Sequence, residues 1–134
     1  MAFQAMFIPA DFNQSAALVN LDSYDQLGAL LGGTPERAVY DRDAEVYVNG
    51  TGVTDGLAQN IGASDYVSRC SDAAKQHGGW VDVALHGNVI MTGPNGTDVP
   101  ERLIEEFGVT ERQTVDELLI RQAAMGYGEG FGLP

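Results

Sequence analysis

Double-glycine and asparagine–glycine steps at 32–33, 49–50, 78–79 and 95–96 cut this chain into short pieces. Each piece can propagate one helix or one or two strands before it is stopped. The pieces carry two periods. Phe3 to Pro9 and Ala16 to Leu21 are apolar runs of strand length, and Ala38 to Tyr40 and Glu45 to Val48 are shorter ones. The stretch VDVALHGNVIMTG, residues 81–93, alternates Val81, Val83 and Leu85 with Asp82, Ala84 and His86. It reads as a hairpin bent at His86-Gly87 or Gly87-Asn88, where the positive φ of a tight turn is available.

Helical spacing takes over elsewhere. Ser23 with Gln26 opens a helix carrying Leu27, Leu30 and Leu31, and Gly32-Gly33 stops it. Thr34-Pro35-Glu36 suits one short helical turn. Ser64 is placed to cap a helix running to His77, with Val67, Cys70 and Ala74 inward. Asp98 with Glu101 opens a helix that turns Leu103, Ile104 and Phe107 inward. A last helix starts at Thr110-Gln113 or Thr114-Glu117 and buries Val115, Leu118 and Leu119. Residues 49–63 hold four glycines without a clear period and read as an irregular exposed loop. The Gly-rich end, MGYGEGFGLP, cannot propagate a helix.

These pieces predict an α+β fold: a mainly antiparallel sheet of five or six strands, two or three helices on one face, and a C-terminal helical extension. Residues 1–107 form a single α+β domain on this reading, and 108–134 are the extension and a flexible tail. At 134 residues the chain can bury a core without staples. Cys70 is the single cysteine, so no internal disulfide forms, and MAFQAMFIPADF has no basic, long-apolar leader pattern. The expected location is the cytoplasm, with no membrane association.

Charge narrows the function classes. The net charge is −12, with 19 acids against 7 bases. Direct contact with a nucleic acid backbone needs a basic footprint, so nucleic acid is not an expected partner. Residues 98–134 carry 8 of the acids, and five of them, Glu105, Glu106, Glu111, Asp116 and Glu117, fall on the last helical segments. With Tyr127 and Phe131 of the tail, they are the candidate contacts for a protein partner. Homo-oligomerisation is left open.

Reactive constellations are sparse. A general base needs a partner and a nucleophile within hydrogen-bond reach, and His86 has turn residues for neighbours. His77 lies at a helix C-terminus, where the dipole accounts for it. Cys70, His77 and His86 lack metal-ligand spacing. Asp41, Asp43 and Glu45 alternate as carboxylates of a solvated strand edge, and Val46 stands where a calcium loop needs glycine. No phosphate-loop or nucleophile-elbow pattern is present. The expectation is a non-enzyme with no cofactor and no metal. Two alternatives remain. One is a small-molecule (nucleotide-like) binder whose loop 49–63 covers a pocket flanked by Tyr47, Asn49 and Asn60. The other is a hydrolase using Asp82, His86 and Asn88.

Three segments, MFIPADF, EVYVNGTGVTDGLAQNIGAS and VDVALHGNVIMTGP, together resemble a small domain family of unknown function found in phages and mobile elements. The strand ending Tyr47-Val48-Asn49, the loop Gly56-Leu57-Ala58-Gln59-Asn60 with Ala63 behind it, and the hairpin ending Thr92-Gly93 carry the resemblance. It covers roughly 5–107, and this chain has a longer insert between Ser64 and Gly79. The resemblance implies a phage- or plasmid-type accessory protein and no mechanism; the acidity supplies the extreme form of the binding expectation, mimicry of nucleic acid charge against a host nucleic-acid-binding or defence protein. It implies no catalytic residues.

Overall fold

The computed structural model describes residues 2–11 and 13–124. Six strands form one sheet: β1 (Phe3–Ile8), β2 (Ala17–Leu21), β3 (Pro35–Asp41), β4 (Ala44–Asn49), β5 (Val89–Thr92) and β6 (Glu111–Arg112). Their order is β3-β4-β5-β1-β2-β6. All neighbours are antiparallel except β2 and β6, which run parallel. The helices are α1 (Asp25–Leu31), α2 (Ile61–Cys70), α3 (Asp72–Gln76), α4 (Glu101–Glu106) and α5 (Val115–Ala124). The α+β class and the mainly antiparallel sheet agree with the sequence reading. Among the described residues no helix is long and apolar enough to cross a membrane.

The helices divide between both faces of the sheet rather than lying on one. Strand β1 shows why. Phe3, Ala5 and Phe7 point one way and Met6 and Ile8 the other, and all are buried. A strand apolar on both sides needs cover on both sides. Met6, Ile8, Val46, Val89 and Met91 form one core with Ala63, Tyr66 and Val67 of α2 and Leu103 and Ile104 of α4. Phe7, Val19, Leu21 and Ile90 form the other with Leu27, Leu30 and Leu31 of α1 and Leu118 of α5. The segment after 107 thus supplies an edge strand and a fully buried core residue.

Several local expectations change for identifiable reasons. Pro35 opens edge strand β3 instead of a helical turn, since an edge tolerates its missing N–H. Helix α2 begins at Ile61, three residues before Ser64, because Asn60 is its cap and accepts from the Ala63 N–H at 3.1 Å. It stops at Ser71, whose Oγ donates to the Val67 carbonyl at 2.6 Å and accepts from the Ala74 N–H at 3.1 Å. Such side-chain bonds compete with the helix ladder and start α3 afresh. Asp98 does not cap α4; its Oδ1 takes the Gln4 N–H at 2.7 Å, and Pro100 is the cap residue. At α5 the Thr114–Glu117 box forms reciprocally, at 2.8 and 3.0 Å.

The hairpin at 81–92 is absent. Residues 89–92 are β5, but 81–85 lie extended against α2 without a partner strand. Ser64 Oγ accepts the Leu85 N–H at 2.8 Å, and Ser68 Oγ accepts the Val83 N–H at 3.3 Å and donates to the Val83 carbonyl at 3.1 Å. Four helical residues rise about 6 Å and two extended residues about 6.6 Å. A serine on each turn therefore meets every second residue of an antiparallel extended segment.

Candidate functional site

Asp41, Asp43 and Glu45 do not form a solvated edge. A turn at Arg42–Asp43 reverses the chain between β3 and β4, so alternation breaks and the three carboxylates part. Asp41 is buried and accepts from the Tyr66 hydroxyl at 2.9 Å and the Asp72 N–H at 2.8 Å. Glu45, also buried, accepts from the Tyr47 hydroxyl at 2.8 Å and from Arg37 and the Asn95 N–H at 3.3 Å. Asp43 stays exposed and takes a two-pronged bond from Arg102, whose Nη1 also donates to the Tyr66 hydroxyl at 3.0 Å. Burial is the first cause that raises the Tyr66 and Tyr47 phenols above their ordinary values, and Asp41 and Glu45 add to it. These groups tie the hairpin to α2, α4 and the neighbouring turn; their role is structural.

The residues weighed for a ligand at the loop are also engaged in the fold. Asn60 is fully buried, and its Nδ2 donates to the Ile8 and Gly87 carbonyls at 2.9 and 3.0 Å. The Asn49 side chain donates to the Leu31 carbonyl at 3.3 Å and accepts from the Thr51 N–H at 2.9 Å. Tyr47 lies in the core on the α1 side, its ring near that of Tyr24. Of the three, Asn49 also lines the cleft beside the loop.

Asp82, His86 and Asn88 make no hydrogen bond to one another among the described residues. Asp82 is exposed. Asn88 is buried, with Oδ1 accepting from the Ala10 N–H at 3.1 Å and Nδ2 donating to the Leu30 carbonyl at 3.5 Å. His86 is half-buried and forms an antiparallel bridge with Gln59. Its Nδ1 lies 3.0 Å from the Leu57 carbonyl oxygen. A carbonyl only accepts, so the neutral ring carries its proton on Nδ1 and leaves Nε2 as the acceptor. Cys70 is half-buried against the α2-side core, and His77 is the exposed cap residue of α3. Among the described residues no group of three or more His, Cys, Asp or Glu side chains could hold a metal ion.

Two surfaces at opposite ends of the sheet bear on function. One is a cleft of about 320 Å³ at the β3 edge, between the hairpin, loop residues 50–54 and residues 84–86. Its loop wall packs closely on the 86–87 segment: a Cβ on Gly52 would lie 3.2 Å from the His86 carbonyl oxygen, and one on Gly87 2.8 Å from Cδ1 of the Leu57 side chain. The sequence points to a pocket under this loop and to Asn49, but sets it beside Tyr47 and Asn60, because the cleft's walls come from three separated segments.

The other surface surrounds β6 at the opposite end of the sheet. Glu105 and Glu106 end α4, Glu111 lies on β6, and Asp116 and Glu117 begin α5; all five are exposed. Glu117 is partly committed to its cap. The ion pairs among the described residues join Arg37, Arg42, Arg69 and Arg102 to Glu45, Asp72, Asp65, Asp41 and Asp43. None reaches the β6 end. Arg121 lies over the Phe7 ring, 5.9 Å from its centroid, leaving Arg112 as the base on β6 itself. Tyr127 and Phe131 lie outside the described residues. Comparison with known proteins finds no matching family model, no similar curated protein and no similar solved structure.

Proposed function

We propose that this protein acts without catalysis, as a small acidic accessory protein that binds a basic protein surface through the end of the sheet built by α4, β6 and α5. The observation that carries this reading is the distribution of ion pairs. The arginines that pair are spent on carboxylates of the hairpin, α2 and α3, whereas the exposed carboxylates of α4, β6 and α5 join none of these pairs, Glu106 alone feeling the charge of Arg69. Clustered charge of one sign steers an oppositely charged partner and makes the encounter sensitive to salt. The resemblance to a phage-type domain is consistent with an accessory role, and occupation of a basic nucleic-acid-binding surface is its sharpest form. The site residues are Glu105, Glu106, Glu111, Asp116 and Glu117, with Tyr127 and Phe131 of the tail added as apolar contacts.

Amide chemical shifts during titration with a synthetic arginine-rich peptide test this reading. Shifts concentrated at 105–117, fading as salt is raised, are expected. Shifts spread evenly over the acidic surface, or centred on α1 or the β3–β4 hairpin, contradict it.

A further inference from the structure

The cleft at the β3 edge lies at the far end of the sheet from β6, so what it binds is a separate question from the acidic end. Glu36 and Ala38 share one face of β3, with Val48 paired to Glu36 across the hairpin, and Tyr40, beyond the register shift that follows Ala38, also lines the cleft. This places an acid, a small apolar floor and a half-buried phenol along one wall. Across from them stand Val53 of the loop and His86. The loop is braced internally, with Thr51 Oγ donating to Asp55 at 2.7 Å and the Leu57 N–H to the Gly52 carbonyl at 2.9 Å. The cleft is therefore formed before any ligand arrives, as small-molecule sites usually are.

Its polar groups have a definite sense. In its neutral form His86 donates Nδ1–H to the Leu57 carbonyl and presents Nε2 as an acceptor, with no hydrogen-bond partner for that nitrogen among the described residues. Glu36 adds a carboxylate. Arg37, the base at the rim, is paired with Glu45 through Nη1 at 3.3 Å, and with Glu36 beside it the cleft has no surplus of positive charge to draw a phosphate or carboxylate. The Tyr40 phenol is held protonated, above its ordinary value, by burial first and by Glu36 second. The cleft thus offers two acceptors, a phenol and apolar walls, and it opposes anions. Its volume lies at the small end for ligand sites.

We propose that this cleft binds a small, uncharged heteroaromatic amine of the nucleobase or nucleoside class. Its N–H groups donate to His86 Nε2 and the Glu36 carboxylate, and its ring lies between Tyr40 and Val53. Phosphorylated forms are disfavoured by Glu36.

Titrations of the full chain with adenine, cytosine, adenosine and adenosine 5′-monophosphate, followed by amide chemical shifts, test the assignment. The expected result is saturable shifts confined to 36–40, 50–54 and 84–86 for at least one amino-bearing base or nucleoside. Affinity should be roughly tenfold weaker for the monophosphate. Glu36→Gln and His86→Asn should each weaken binding about tenfold with the rest of the spectrum unchanged. Val53→Trp, a change at an exposed loop position, should block the cleft without touching the core. No shift with any of the four at millimolar concentration overturns the proposal, as do shifts outside the cleft or equal binding of the phosphorylated form.

Discussion

Ser64 Oγ accepts the Leu85 N–H at 2.8 Å, and with it a helix side chain does the work of a partner strand. Both residues are buried, so no water can replace the bond. Ser64→Ala leaves that donor unsatisfied and should cost about 1–3 kcal/mol. Urea unfolding gives the cost, and amide exchange at Leu85 should quicken in parallel. Ser68→Ala should cost less, because the Val83 end of the contact is only part-buried. Unchanged stability together with unchanged exchange at Leu85 would show that the serine does not hold the segment.

Leu118 is fully buried between α5 and the sheet. Leu118→Ala should therefore destabilise the whole domain by about 2–5 kcal/mol, as for a core leucine. The loss should appear as one cooperative shift in denaturant. Separate melting of α5, with the sheet unaffected, would mean that residues after 107 are only an appendage.

Gly87 has φ of +82°, and a Cβ there would meet Leu57 Cδ1 at 2.8 Å. Gly87→Ala combines left-handed strain with a clash at the base of the loop. A loss of about 1–3 kcal/mol is expected, read by thermal or urea unfolding. A neutral result would mean that the loop shifts freely, and the cleft would lose its fixed wall.

Arg102 sets the acid response of Asp43. Its hydrogen bond is the chief cause that holds the Asp43 carboxyl below the usual aspartate value. A depressed folded-state value stabilises the fold above the unfolded value of about 3.9. That contribution is lost as pH falls through the lower, folded value. Asp43 is half exposed, so the effect on stability is small. Carbon-detected titration of the carboxyl should give a midpoint below the ordinary one, moving up in Arg102→Met. An unchanged midpoint in the variant would remove Arg102 as the cause.

How far the sequence foretold this structure depends on which partner each segment uses. Strands β1, β2 and β4 and helix α1 were legible because their apolar spacing already states what they bury. The same spacing misled at 81–85. Val81, Val83 and Leu85 do alternate on an extended backbone, but their hydrogen-bond partners are Ser64 and Ser68 on a helix. Period alone cannot tell a strand from an extended segment docked on serines, although serines four apart facing an alternating run are a signal in hindsight. Asp41 and Glu45 were read as exposed because carboxylates usually are. The Arg42–Asp43 turn and the partners Tyr66, Tyr47 and Arg37 are what make their burial tolerable. The acidic end was legible as composition; that no ion pair among the described residues takes up its carboxylates needed the fold.

That acidic end, without ion pairs of its own, is the centre of the account, and a charge-matched comparison tests it most directly. One variant carries Glu105→Gln, Glu106→Gln, Glu111→Gln and Asp116→Asn. The other carries Asp11→Asn, Asp25→Asn, Asp55→Asn and Asp82→Asn, which remove equal charge from exposed positions elsewhere. Affinity for the arginine-rich peptide at near-physiological salt, where screening reaches about 8 Å, should fall about tenfold or more in the first and little in the second. Equal losses in the two would show that only net charge matters, and would contradict a binding surface at the β6 end.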